Sequence, residues 1–172
     1  MGVYYCKQPN GLYCRFSTIV DTVTSYNMDK AGLKELFIEK FGEEDPDVIN
    51  FEAFLSEDNK RRFRIYPFNV VVNRMTSANE TIDGARSLMK EMGYNDPFWY
   101  PLTWDDDKRR DLMASLSSLF SELNYSDEQI TDVLQNTHCS EHCLALVKED
   151  GKRYLEDRDD EMDNFGYRVE IV

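Results

Sequence analysis

Two β-prone runs, Val3-Tyr4-Tyr5-Cys6-Lys7 and Leu12-Tyr13-Cys14-Arg15-Phe16, stand on either side of Gln8-Pro9-Asn10-Gly11. Pro9 presets φ, Asn10 tolerates the next turn position and Gly11 can take a positive φ, so this stretch predicts a hairpin. With Pro9, Asn10 and Gly11 as a three-residue loop and Gly11 in the bulge, Gln8 faces Leu12, Lys7 faces Tyr13 and Cys6 faces Cys14. The two thiols are then cross-strand neighbours on one face.

Beyond the hairpin, Thr18-Ile19-Val20 and Thr22-Val23-Thr24 can add a strand, and the period then changes from two to helical. Asn27 or Asp29 caps a helix carrying Leu33, Leu36, Phe37 and Phe41, which Gly42 ends. Asp45-Pro46 starts a second helix through Val48, Phe51, Phe54 and Leu55 to about Lys60. One strand is expected near Phe68 to Val72, with Pro67 demoting the segment before it. A helix from Asn79 or Thr81 closes at Gly93, and Thr103 or Asp105 caps the longest helix, with Leu112, Leu116, Leu119, Phe120 and Leu123 on one face. Ser126-Asp127-Glu128-Gln129 is a capping box for a shorter helix. Two runs around Glu149-Asp150-Gly151 suggest a second hairpin, and Tyr167 to Val172 a closing strand.

Strands at both ends with about five helices between them predict an α+β fold in which the N-terminal and C-terminal hairpins share one antiparallel sheet. The 172 residues are one domain's worth of chain, and 41% apolar with 13% aromatic residues is enough for a core. Within the single domain 1–172, residues 1–28 read as a possible hairpin module and 105–172 as an acidic half. The first residues lack a charged start and an apolar run, and no segment approaches a membrane span, so a cytoplasmic protein with reduced thiols is expected.

Charge narrows the function classes. The chain carries 20 Lys and Arg against 33 Asp and Glu, a formal net charge of −13. Direct binding of nucleic acid depends on cationic side chains, and no basic run exceeds Lys60-Arg61-Arg62. From Asp105 onward there are 18 acids and eight bases, so most of the excess lies in the last 68 residues. Acids spread over a folded surface can imitate a phosphate array and occupy the basic groove of a nucleic-acid-binding protein. The residues expected to do so are Asp105, Asp106 and Asp107, together with Glu156, Asp157, Asp159, Asp160, Glu161 and Asp163. The aromatic, proline-bound stretch from Phe98 is either a buried crossing loop or a contact surface, and in the second case Trp99, Tyr100 and Trp104 are the expected interface anchors.

Two metal readings compete with this one. His138, Cys139, His142 and Cys143 lie within six residues, and on an α-helix each like pair is spaced i, i+4 and could present two ligands to zinc. All four cannot meet one ion from one helix, so a closed site would draw on Cys6 and Cys14. A calcium loop places Asp159, Glu161, Asp163 and Glu170 at positions 1, 3, 5 and 12 of its frame, but Asn164 replaces the turn glycine and almost no chain is left for the exiting helix. No phosphate-binding glycine loop, GxSxG, HExxH or dinucleotide fingerprint is present, so no enzyme is expected.

The opening Met1 to Met28, MGVYYCKQPNGLYCRFSTIVDTVTSYNM, resembles the start of small open reading frames carried by phages and mobile elements of gut bacteria, joined there to varied downstream sequence. A small, acidic, motif-poor α+β protein of that source is similar in kind to anti-CRISPR proteins, many of which occupy the DNA-binding or PAM-reading surface of an RNA-guided nuclease. The resemblance implies a non-enzymatic inhibitor acting by acidic mimicry on a CRISPR effector in the bacterial host cytoplasm. The alternatives are a zinc-stabilised protein organised by residues 138–143 and a phage or plasmid adaptor.

Overall fold

The computed structural model describes residues 2–56, 64–158 and 167–172. The chain divides into two compact units, one of Met1–Met75 with Ser87–Asn95 and the other of Thr76–Arg86 with Asp96–Val172. The fold class is mixed α+β, as expected, and each unit has a buried apolar cluster of its own.

In the first unit, strands β1 (Val3–Lys7) and β2 (Tyr13–Ser17) form the predicted hairpin in the predicted register, with Cys6 opposite Cys14 and Lys7 opposite Tyr13. The Gln8 amide donates to the Leu12 carbonyl at 2.8 Å and the Gly11 amide to the Gln8 carbonyl at 3.0 Å. Gly11 has φ 86°, the left-handed conformation that a side chain resists. β3 (Thr22–Met28) pairs antiparallel with β2 through two register shifts. Helix α1 (Lys30–Phe41) follows, and the Asp29 carboxylate caps it by accepting the Gly32 amide at 2.8 Å.

The second expected helix breaks. Asn50, at φ −103° and ψ 40°, leaves the helical region and divides it into the single turns α2 (Pro46–Ile49) and α3 (Phe51–Phe54). The break lets Val48, Phe51 and Phe54 all bury against Leu33 and Phe37 of α1 and Tyr5 and Tyr13 of the sheet. The strand expected at 68–72 is displaced as well. β4 (Ile65–Pro67) pairs in parallel with β1, Tyr5 facing Ile65, which gives the order β3-β2-β1-β4. Pro67 ends the ladder, and the chain turns helical as α4 (Asn69–Val72) despite its three valines. Phe68, Val71 and Met75 are the buried residues of that passage, and their spacing is helical.

Helix α5 (Ile82–Glu91) belongs by residues 82–86 to the second unit and by residues 87–91 to the first. The second unit continues with α6 (Asp106–Glu122), α7 (Asp127–Asn136), a 3-10 turn at His138–His142, and strands β5 (Leu144–Glu149), β6 (Lys152–Asp157) and β7 (Arg168–Ile171). The capping box of α7 is present, Ser126 and Gln129 bonding reciprocally. β5, β6 and β7 form an antiparallel sheet in that order. Leu155 and Ile171 from this sheet bury with Leu112, Leu116 and Phe120 of α6 and Ile130 and Leu134 of α7. The Ser117 hydroxyl donates to the Glu170 carbonyl at 2.6 Å and ties helix to sheet.

The two hairpins thus belong to different sheets. β4 pairs with β1 and β7 pairs with β6, so each hairpin completes a sheet of its own rather than joining the other. Among the described residues no helix is long and apolar enough to cross a membrane.

Candidate functional site

The acidic start of α6 is built by helix-end chemistry. Asp105 is extended, at φ −86° and ψ 126°, and its carboxylate accepts the Lys108 amide at 3.0 Å. Asp106 and Asp107 occupy the first turn, where the helix dipole favours negative charge. Asp107 is exposed and lies 3.7 Å from the exposed Arg110. The residue before the cap, Trp104, is 64% exposed. An exposed aromatic side chain and three carboxylates therefore lie together at one helix end.

The other two expected anchors are not available. Trp99 and Tyr100 are each 1% exposed. The Trp99 ring lies against that of His138 at 5.9 Å, and the Arg86 guanidinium stands 4.1 Å over the Tyr100 ring. Of the two readings of the stretch from Phe98, buried crossing or contact surface, the buried one describes Trp99 and Tyr100, and Trp104 alone of the three faces solvent.

The C-terminal acidic segment is also divided. Asp159, Asp160, Glu161 and Asp163 lie outside the described residues, as does most of the calcium frame. Glu156 is half-buried on β6 between Arg168, at 3.4 Å, and Arg158, at 3.6 Å. Asp157 is removed from the surface altogether. Its carboxylate is buried against Arg109 of α6, which donates Nη2–H to Oδ1 at 2.7 Å and Nε–H to Oδ2, and also reaches the His142 carbonyl at 2.5 Å. Asp157 is thus an internal counter-charge and not a docking residue. The signal for Arg109 was present: it lies on the same helical face as Leu112, Met113 and Leu116.

The Cys and His residues of 138–143 fall on a 3-10 turn instead of an α-helix, so the i, i+4 argument for shared faces does not hold. Cys139 is buried and its thiol donates to the Phe98 carbonyl at 2.9 Å, whereas Cys143 is exposed. Burial pushes the Cys139 thiol up to about 11. The His138 and His142 rings meet edge-on at 5.8 Å. Burial, then the neighbouring His138 and the Arg109 charge, bring His142 down to about 3, and burial lowers His138 as well. Among the described residues no group of three or more His, Cys, Asp or Glu is placed to hold a metal ion. His138, Cys139, His142 and Cys143 therefore do not converge as the zinc reading requires, and Cys6 with Cys14 lies in the other unit.

The first unit carries an open cleft of about 500 Å³ lined by Tyr13, Leu55, Ile65, Tyr66 and Phe68, with Lys7 as its cation. Among the described residues its walls are mostly apolar and include no acid. In comparison with protein families, curated proteins and solved structures, nothing matches this chain.

Proposed function

We propose that this chain is a non-enzymatic inhibitor that binds the basic nucleic-acid-binding surface of a host nuclease, with an RNA-guided effector as the target class suggested by its first 28 residues. The observation that supports this reading is the exposed Trp104 beside Asp105, Asp106 and Asp107, in the part of the chain that carries most of the net charge. Interface hot spots combine an aromatic anchor with complementary charge, and an acidic face speeds encounter with a cationic groove. The helix cap fixes the backbone that carries these groups, so no loop has to be ordered there on binding.

The experiment is capture of partners from bacterial host lysate at low and high salt, read by mass spectrometry, with the wild type beside a Trp104→Ala, Asp106→Lys, Asp107→Lys variant. Asp105 is kept so that the helix cap survives. Recovery of a nuclease by the wild type at low salt, its release by added heparin, and its absence from the variant capture are expected. A partner held equally by the variant, or held regardless of salt, would remove this helix end from the interface.

A further inference from the structure

We propose that Cys6 and Cys14 form a latent oxidation site, in which a disulfide-class oxidant joins the two sulfurs across the first hairpin without changing its register. The register places them directly opposite each other on β1 and β2. Opposed residues of an antiparallel pair have Cα atoms about 4.5 to 5.5 Å apart, within the roughly 4.4 to 6.8 Å that disulfides span. Their side chains share a face of the sheet.

Both residues are reduced and wholly buried, at 0% exposure. The Cys6 thiol donates a hydrogen bond to the Cys14 sulfur, and this bond, followed by burial, raises Cys6 far above its ordinary range. The remaining cysteines, Cys139 and Cys143, belong to the other unit, so no third thiol of this unit competes for the pair. The turn reinforces the pairing. Gly11 and the Gln8–Leu12 bond fix the loop, and Asn10 is itself held by its amide bond to the Met92 carbonyl at 3.3 Å.

Because both sulfurs are enclosed, reaction requires the hairpin to open locally, or precedes its closure. One sulfur, as thiolate, attacks glutathione disulfide and expels one glutathione thiolate. The second then attacks the mixed disulfide at the protein sulfur and expels the other glutathione. Two thiol protons are released, and the two electrons leave in two molecules of reduced glutathione. The product closes a ring from residue 6 to residue 14 around the turn.

The test uses the full chain with Cys139→Ser and Cys143→Ser. It is incubated with glutathione disulfide, once in buffer and once in mild urea that is then removed, and afterwards alkylated in strong denaturant and weighed. The expected product, in either arm, has lost the mass of two hydrogens, takes up no alkylating agent, yields a peptide pair joined at positions 6 and 14, and has a higher urea midpoint than the reduced chain. Two alkylated cysteines after both arms, a stable glutathione adduct, a link between two chains, or a joined chain with a lower midpoint would each overturn the proposal. If the serine variant does not fold, the wild type is used with its exposed Cys143 first capped by iodoacetamide; one further alkylation, at the buried Cys139, is then expected, and the outcomes are read on the peptides that carry Cys6 and Cys14.

Discussion

Arg109 on α6 and Asp157 on β6 meet in an ion pair whose side chains are 3% and 0% exposed, and the same guanidinium holds the carbonyl of His142. One arginine therefore joins a helix, a strand and the 3-10 turn of the second unit. Removing one member of such a pair strands the other as an uncompensated buried charge.

Arg109→Met and Asp157→Asn should each destabilise the protein by about 3 to 5 kcal/mol, the range for breaking a buried pair from one side. The double variant Arg109→Met, Asp157→Leu should lose less than the two single losses together, since no unpaired charge remains. Urea unfolding of the four proteins at neutral pH measures both statements. Equal midpoints for Asp157→Asn and wild type would show that the pair contributes nothing.

Acid should unfold the second unit through its histidines. His142 is held down to about 3 from an ordinary value of 6.5, so between those values the unfolded chain binds a proton that the native state refuses. Stability from this group is complete above about pH 6.5 and is lost as pH falls toward the native value. At pH 4.5 the loss is roughly 2 to 3 kcal/mol, at about 1.4 kcal/mol per unit. His138, shifted the same way by burial, adds to the trend. Urea midpoints of wild type and His142→Gln over this range provide the check, and the variant should show the shallower decline.

The cap and the first-turn acids of α6 should separate in their effects. Asp105→Ala removes the acceptor for the Lys108 amide and should cost about 1 kcal/mol. Asp106→Asn loses a dipole interaction and Asp107→Asn loses that and its exposed pairing with Arg110, and each should cost about 0.3 to 1 kcal/mol, less at high salt. Thermal unfolding at two salt concentrations distinguishes them, because the cap bond persists where the dipole contribution fades.

Two glycines with nearly equal backbone conformations should respond differently to alanine. Gly11 has φ 86° and open space where a Cβ would stand, so Gly11→Ala should cost roughly 1 to 2 kcal/mol from the backbone alone. At Gly93, φ 88°, the added carbon would lie 2.9 Å from the Asn10 amide nitrogen. Gly93→Ala should cost more than Gly11→Ala and disturb the first turn, which amide hydrogen exchange at Asn10 would register.

The parts of this structure legible in the sequence are those decided within a few residues. Pro9, Asn10 and Gly11 set the loop and with it the whole β1–β2 register, and Ser126 with Gln129 announces α7. What sequence missed depends on distant partners. β4 is three residues long and ends in a proline, too short to show alternation, yet it pairs with β1 and completes the first sheet. Asp157 was read with the acids that follow it, although strand alternation places it on the same face as the buried Leu155. Of the expected docking residues, Trp104, Asp105 and Asp107 are exposed and Asp106 is half-buried, and the cap that starts their helix is a local device readable in the sequence. Trp99 and Tyr100 are buried, and their burial depends on packing elsewhere in the fold.

The hairpin's loop has a further bearing on how such a gene can be assembled. The Asn10 side chain donates to the Glu91 carbonyl at 3.3 Å, the Asn27 side chain to the same oxygen at 3.4 Å, and Gly93 leaves room for Asn10. A recombination that grafted residues 1–28 onto a different downstream sequence would therefore have to find there a helix ending in free carbonyls and a glycine. An opening of this kind constrains the sequence that can follow it.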